Sequence, residues 1–299
     1  MSSQQLPSLE RFAVAGRVSL EESPSGFTRC NLYHPSGTSA TLYTYGAHVT
    51  GFVAQGKEVL FMSKQAIFAK GTALRGGIPI CWPQFSGRGK LPAHGFARTA
   101  EWQLLASGIS SSGQTLVKLG LCDSEQTRSV WPHAFALEYE VALGKDLQLV
   151  LHVKNTGSAS FSFGGALHSY FQVGSVKSSY IEGLSGLMLL DFLKDNVQSH
   201  ELREKVEVQE HNDRCYLQAP TILKIHDQQN KRVIQLSSEN FPDAVLWNPW
   251  SERCKQIKDL GAADYLQFLC LESGIVETPT ELAAGKELVL KQKIEVLPA

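Results

Sequence analysis

Apolar residues recur at every second position over long stretches of the chain, the periodicity of strands that bury one face. Phe135, Leu137, Tyr139, Val141 and Leu143 alternate with small or charged residues, Gly144-Lys145-Asp146 interrupts, and Leu147, Leu149, Leu151 and Val153 resume the pattern. Two alternating runs across a short polar break predict a long antiparallel hairpin. Similar runs span Thr115 to Leu121 and Leu288 to Val296, and a second hairpin joins Ile222–Ile225 to Val233–Leu236 through Asp227-Gln228-Gln229-Asn230. Helical periodicity is sparse: Glu252 to Leu260 predicts a short turn of helix, and Leu184 to Asn196 fits either state. No βαβ rhythm, internal repeat, low-complexity tract or Pro/Ser-rich linker is visible, so the pattern predicts one all-β domain over residues 1–299. Many strands with short polar turns and few short helices imply an antiparallel sandwich.

Composition narrows the function classes. At 299 residues and 43% hydrophobic content the chain can bury a large core. A balance of 28 Lys+Arg against 29 Asp+Glu leaves a net charge of -1, so no global field draws it to nucleic acid or to an anionic membrane. Any anionic ligand must be held by a few local charges. Met1 to Glu10 shows neither a basic segment followed by an apolar one nor an Arg-rich amphipathic pattern, which argues against export. No run reaches the roughly 18 to 20 apolar residues of a membrane-spanning helix, and a soluble protein is expected. The six cysteines are scattered, without a C-x-x-C pair or a histidine at zinc spacing, which predicts reduced thiols in the cytoplasm and no structural metal. Neither G-x-G-x-x-G nor a Walker sequence occurs, so no nucleotide cofactor is expected.

Three segments carry chemistry. Arg75 to Arg98 is rich in Gly, Pro and cationic residues with aromatics between them: glycines admit close backbone approach, prolines stiffen the loop, and arginine forks suit phosphate. Composition alone reads equally as an ordinary surface loop. His168, in Gly164-Gly165-Ala166-Leu167-His168-Ser169-Tyr170-Phe171, is by default a core or turn residue, yet its side chain is the one suited to proton transfer near neutral pH. Glu272 ends the apolar run Leu266 to Leu271, where burial would raise its pKa toward the range of a general base. Val245-Leu246-Trp247-Asn248-Pro249-Trp250 reads as an aromatic turn, a core element first and a sugar platform second.

Taken in order, RGGIPICWPQF at Arg75–Phe85, LPAHGFAR at Leu91–Arg98, ALHSYF at Ala166–Phe171, LLD at Leu189–Asp191, NDRCYL at Asn212–Leu217, WNPW at Trp247–Trp250 and CLES at Cys270–Ser273 resemble the hexose-6-phosphate mutarotases, a branch of the aldose 1-epimerase superfamily. The resemblance covers nearly the whole chain. It implies a galactose mutarotase-like β-supersandwich with an open cleft. It also implies His168 as acid, Glu272 as base, Arg75 and Arg98 as phosphate or substrate arginines, Asp191 as a carboxylate for sugar hydroxyls, and His94 as a cleft residue contacting the sugar. Ala93 stands where the family carries Gln, and Leu190 where it carries an aromatic residue.

These roles imply anomer exchange on a small hexose 6-phosphate by a monomer that requires no cofactor. Protonated His168 would donate to the ring oxygen while ionised Glu272 takes the C1 hydroxyl proton, the open aldehyde turns about C1–C2, and the roles reverse on closure, giving a bell-shaped pH profile. The rivals are an epimerase of unphosphorylated sugars, a glycoside hydrolase using Asp191 and Glu272 as paired carboxylates, and a carbohydrate-binding protein without turnover.

Overall fold

In the computed structural model, which describes residues 9–299, the alternating segments become antiparallel strands of three sheets. The expectation for Met1 to Glu10 falls almost wholly outside the described residues. A nine-stranded sheet runs from Val206–Glu207 through Ser179–Glu182, Ile222–Asp227, Arg232–Glu239, Glu287–Pro298, Leu147–Asn155, Phe135–Leu143 and Thr115–Cys122 to Gln103–Ile109. An eight-stranded sheet is built on Met188–Asp191, Asn212–Tyr216, Asp243–Asn248, Phe268–Leu282 and Phe161–Leu167 in that order, with Tyr170–Gln172 also paired to Phe268–Leu282. Five strands between Val18 and Glu58 form the third.

The first predicted hairpin is present as Phe135–Leu143 and Leu147–Asn155, with Leu143 opposite Leu147 and Leu137 opposite Val153. Its inward residues meet Leu246, Leu271 and Ile294 in one apolar cluster that draws on all three sheets. The second predicted hairpin is Ile222–Asp227 with Arg232–Glu239. The ambiguous segment Leu184–Asn196 divides into the strand Met188–Asp191 and one 3-10 turn at Phe192–Lys194. The expected helix appears as Trp250–Gln256. A six-residue helix at Glu125–Val130, with no buried residue, was not expected; Ser124 and Thr127 cap its first turn reciprocally.

The packing sets one face of the eight-stranded sheet on the main core; the other face, covered by two smaller apolar clusters, is the one the resemblance assigns to the cleft. Directly opposed residues in antiparallel strands share a face. Ser273, Ala244, Tyr216 and Leu189 therefore form one row on the core face, and Glu272, Val245, Cys215 and Leu190 form the next row on the cleft face. All six cysteines are free thiols, and Cys122 alone among them is exposed. No helix among the described residues is long and apolar enough to cross a membrane.

Candidate active site

Register brings the acid and base candidates together. Leu167 pairs with Ser273 and Tyr170 with Cys270, so His168 falls opposite Glu272 on the cleft face. His168 Nδ1 lies 3.4 Å from Glu272 Oε1, with the two residues 8% and 1% exposed. The contact lacks hydrogen-bond geometry: His168 Nδ1 and Glu272 Oε2 are buried without a partner. Burial holds His168 well below its ordinary pKa, with His94, Arg98 and Arg75 adding positive charge, and it pushes Glu272 well above the usual carboxylate range, with Asp213 adding to the rise. Both shifts run toward the uncharged forms, whereas the roles implied by the resemblance use a charged pair.

The surroundings fix both residues from two directions. In the cleft the Tyr170 ring stacks on His168 with centroids 4.8 Å apart, and Trp247 meets both rings edge-on at 6.1 and 6.0 Å. Behind the sheet, Ser169 Oγ donates to Gln292 Oε1 at 2.9 Å, and Gln292 Nε2 donates to Ser273 Oγ at 2.9 Å. The residues that follow the acid and the base are therefore tied to one side chain of the opposite sheet.

The loop from Arg75 to Arg98 is built against this pair. Gly76 and Gly77 have φ of 110° and 62°, and a Cβ on Gly77 would strike the Val49 carbonyl and the His48 ring. The His48 Nε2 donates to the Gly76 carbonyl at 2.7 Å, and burial pushes its pKa down to about 4. His94 adopts φ of 67°, a left-handed conformation costly for a residue with a Cβ, beside Gly95 packed on the Trp82 carbonyl. The Ser86 amide donates to His94 Nδ1 at 3.3 Å, which leaves Nε2 as the N–H, and the ring lies 5.4 Å from that of His168. Burial, then Arg98 and Arg75, push His94 down to about 3.

The two expected arginines differ. Arg75 Nε donates to Asp259 Oδ1 at 3.1 Å and Nη1 to the Tyr170 hydroxyl at 3.0 Å, so this guanidinium is neutralised and committed to supporting the ring that stacks on His168. Arg98 donates from Nη2 to the Ala93 carbonyl at 2.8 Å and has no carboxylate within 4.0 Å among the described residues. Its charge acts on His94, His168 and Glu272. Residue 93 contributes a backbone carbonyl to Arg98, a contact indifferent to the change from Gln to Ala.

Asp191 does not join them. It shares the core face with Arg214, Leu246 and Leu271, and three strand spacings of about 4.8 Å separate it from the Phe268–Leu282 strand. There its Oδ1 accepts from the Leu193 amide at 3.1 Å and its Oδ2 faces Arg214 Nε at 3.4 Å and Lys194 Nζ at 3.5 Å. The placement has a simple cause: Leu189 and Asp191 are two residues apart, so a strand that buries Leu189 in the core turns Asp191 the same way. The carboxylate on the cleft face is Asp213, opposite Trp247 and in the row that includes Cys270. Burial, with Asp191 as a lesser cause, pushes it from 3.8 up to about 6. Sequence reasoning passed over Asp213 although it lies in the NDRCYL segment. The available signal was its spacing of two from Cys215, which puts both side chains on one face of the strand. Leu190 is an apolar member of that face, packed with Cys215 and Val245.

Comparison with known proteins matches this chain to one family. The family described as aldose 1-epimerase matches residues 29–295. A Cenchrus ciliaris protein named "Putative glucose-6-phosphate 1-epimerase" is 36% identical over 277 residues, covering 90% of this chain and 84% of its own length. A Salmonella typhimurium protein of the same name is 32% identical, with 87% of each chain covered. Among solved structures, a "putative mutarotase" from Salmonella typhimurium superposes with a TM-score of 0.88 at 28% identity, over 98% of this chain and 99% of that one. A galactose mutarotase related enzyme from Lactobacillus acidophilus, at 15% identity and a TM-score of 0.72, shares the β-supersandwich. The chain belongs to the aldose 1-epimerase family, and with it to the isomerases.

Proposed function

We propose that this chain interconverts the α and β anomers of a hexose 6-phosphate, glucose 6-phosphate first among them. The observation that carries the reading is the buried His168–Glu272 pair beside Arg98, a guanidinium with no carboxylate partner among the described residues. The names of the plant and bacterial relatives support the substrate class.

Anomer exchange delivers a proton to the ring oxygen and removes one from the C1 hydroxyl, then reverses both after rotation about C1–C2. His168 serves the ring oxygen and Glu272 the C1 hydroxyl, so the pair gains and loses no proton over a cycle. The two share one proton across a 3.4 Å contact, His168 carrying it before the ring opens and Glu272 after. Arg98 binds the phosphate, which supplies the negative charge that the local field lacks. Asp213 and the His94 Nε2–H bind sugar hydroxyls, and the Trp247 ring covers C–H groups. Arg75 acts through Tyr170 and Asp259.

Two-dimensional exchange NMR on glucose 6-phosphate and glucose tests the proposal. Purified protein accelerates exchange of the phosphorylated sugar, and Arg98→Glu lowers that rate at least about tenfold more than the rate with glucose. Absence of acceleration sinks the enzyme reading; equal losses on both sugars assign the site to unphosphorylated substrates.

A further inference from the structure

The proposed reaction uses His168 and Glu272 but leaves a third group in their pocket unused. Cys270 precedes Glu272 by two residues on the same strand face, opposite Tyr170 and Trp247. One ligand atom each from His168, Cys270 and Glu272 lies within 4.8 Å of the other two, all three residues are buried, and no second such cluster occurs among the described residues. Independently, His168 Nδ1 and Glu272 Oε2 have no hydrogen-bond partner, a state that buried polar atoms rarely keep without a ligand.

Nitrogen, sulfur and oxygen donors converging from three residues form three of the four donors of a tetrahedral zinc site. Bonds of about 2.0 to 2.3 Å at tetrahedral angles place donors roughly 3.3 to 3.8 Å apart, so side-chain movement of about 1 Å closes the set. A thiol selects against Mg2+ and Ca2+, which take oxygen ligands. We propose that His168, Cys270 and Glu272 form an inhibitory site for a thiophilic divalent cation, Zn2+ above all, which occupies the pocket in competition with the sugar. The ion blocks the reaction by engaging the two groups that would move protons. This inference rests on the anomer-exchange reading for its activity readout; binding is read separately.

The experiment uses the full chain carrying Cys122→Ser, which removes the exposed thiol. Co2+ titration reports binding through the thiolate-to-cobalt absorption in the near ultraviolet, and Zn2+ titration of glucose 6-phosphate exchange reports inhibition. Expected are one Co2+ per chain with the thiolate band, displacement by Zn2+, and inhibition that rises in apparent constant with sugar concentration and is reversed by a chelator. Cys270→Ala and Cys270→Ser keep basal exchange, lose the band and weaken Zn2+ inhibition at least about tenfold. No thiolate band, or equal inhibition in the parent and both variants, overturns the proposal. A Cys270-dependent band in a chain that never accelerates exchange keeps the metal site and overturns the exchange reading instead.

Discussion

On the core face of the strand Phe268–Leu282, Ser273 accepts from Gln292 at 2.9 Å and shares a second hydrogen bond with Ser238 at 2.6 Å. One residue away on the cleft face, Glu272 keeps Oε2 without any partner, and His168 Nδ1 opposite it is equally bare. The two settings are about equally buried, so depth does not explain the contrast. Buried polar groups stabilise one arrangement only when all their bonds are met, as behind the sheet. Unmet groups cost stability and persist where a ligand will meet them, as in front. The strand therefore holds a satisfied polar layer on one side and, on the proposed mechanism, a reactive one on the other, joined through consecutive residues of a single backbone.

The largest effect comes from breaking the cleft side. His168→Asn or Glu272→Gln each lowers anomer exchange by about 10²–10⁴-fold, read by exchange NMR, while thermal unfolding stays near the parent temperature. The double variant falls little further than the worse single one, because the two act as a unit. Independent, multiplying losses would refute a shared proton. Breaking the core side gives the opposite signature. Gln292→Leu strands Ser169 and removes a bond from Ser273, so it costs about 3 kcal/mol of stability, read by urea unfolding, and exchange falls as the backbone at residues 168 and 272 relaxes. Ser169→Ala and Ser273→Ala added to Gln292→Leu recover most of that stability, since a layer with no polar groups leaves none unmet. Failure of the triple variant to recover would show that the layer matters for volume alone.

How much of this was legible in the sequence depended on whether one face of each strand met water. The hairpin from Phe135 to Asn155 alternates because its outward residues stay partly exposed, and it was read correctly. The strand His48–Ala54 is buried along nearly its whole length, so alternation disappears and its sheet went unread. The helix Glu125–Val130 buries nothing and leaves only the Ser124–Thr127 cap as a trace. His168 and Glu272 were identified through family resemblance; that they oppose one another follows from the pairing of Leu167 with Ser273, a register no local pattern encodes. Asp191 and Asp213 show the same limit. Strand parity says which residues share a face, but only the neighbouring strands say which face is the cleft.

Asp213 gives the smallest of the expected effects and the sharpest test of where the reactive layer ends. Its carboxyl titrates near 3.8 when exposed to water and near 6 in the fold, where burial penalises the charge. A group whose folded pKa is raised contributes its full stability below the unfolded value and loses it as pH rises through the folded value. The window therefore runs from about pH 4 to pH 6, and the loss amounts to about 3 kcal/mol at the upper end. Asp213→Asn cannot ionise, so its stability stays flat across that window: it matches the parent near pH 4 and exceeds it by about 3 kcal/mol above pH 6, read by urea unfolding. The same variant loses the carboxylate proposed to bind sugar hydroxyls, so its KM for glucose 6-phosphate is expected to rise even as the fold tightens. A gain in stability together with a loss of binding places Asp213 with Glu272 among the groups left unmet for a ligand. A loss of stability at pH 7 would instead place it with Ser273 and Gln292, among the groups whose partners lie within the protein.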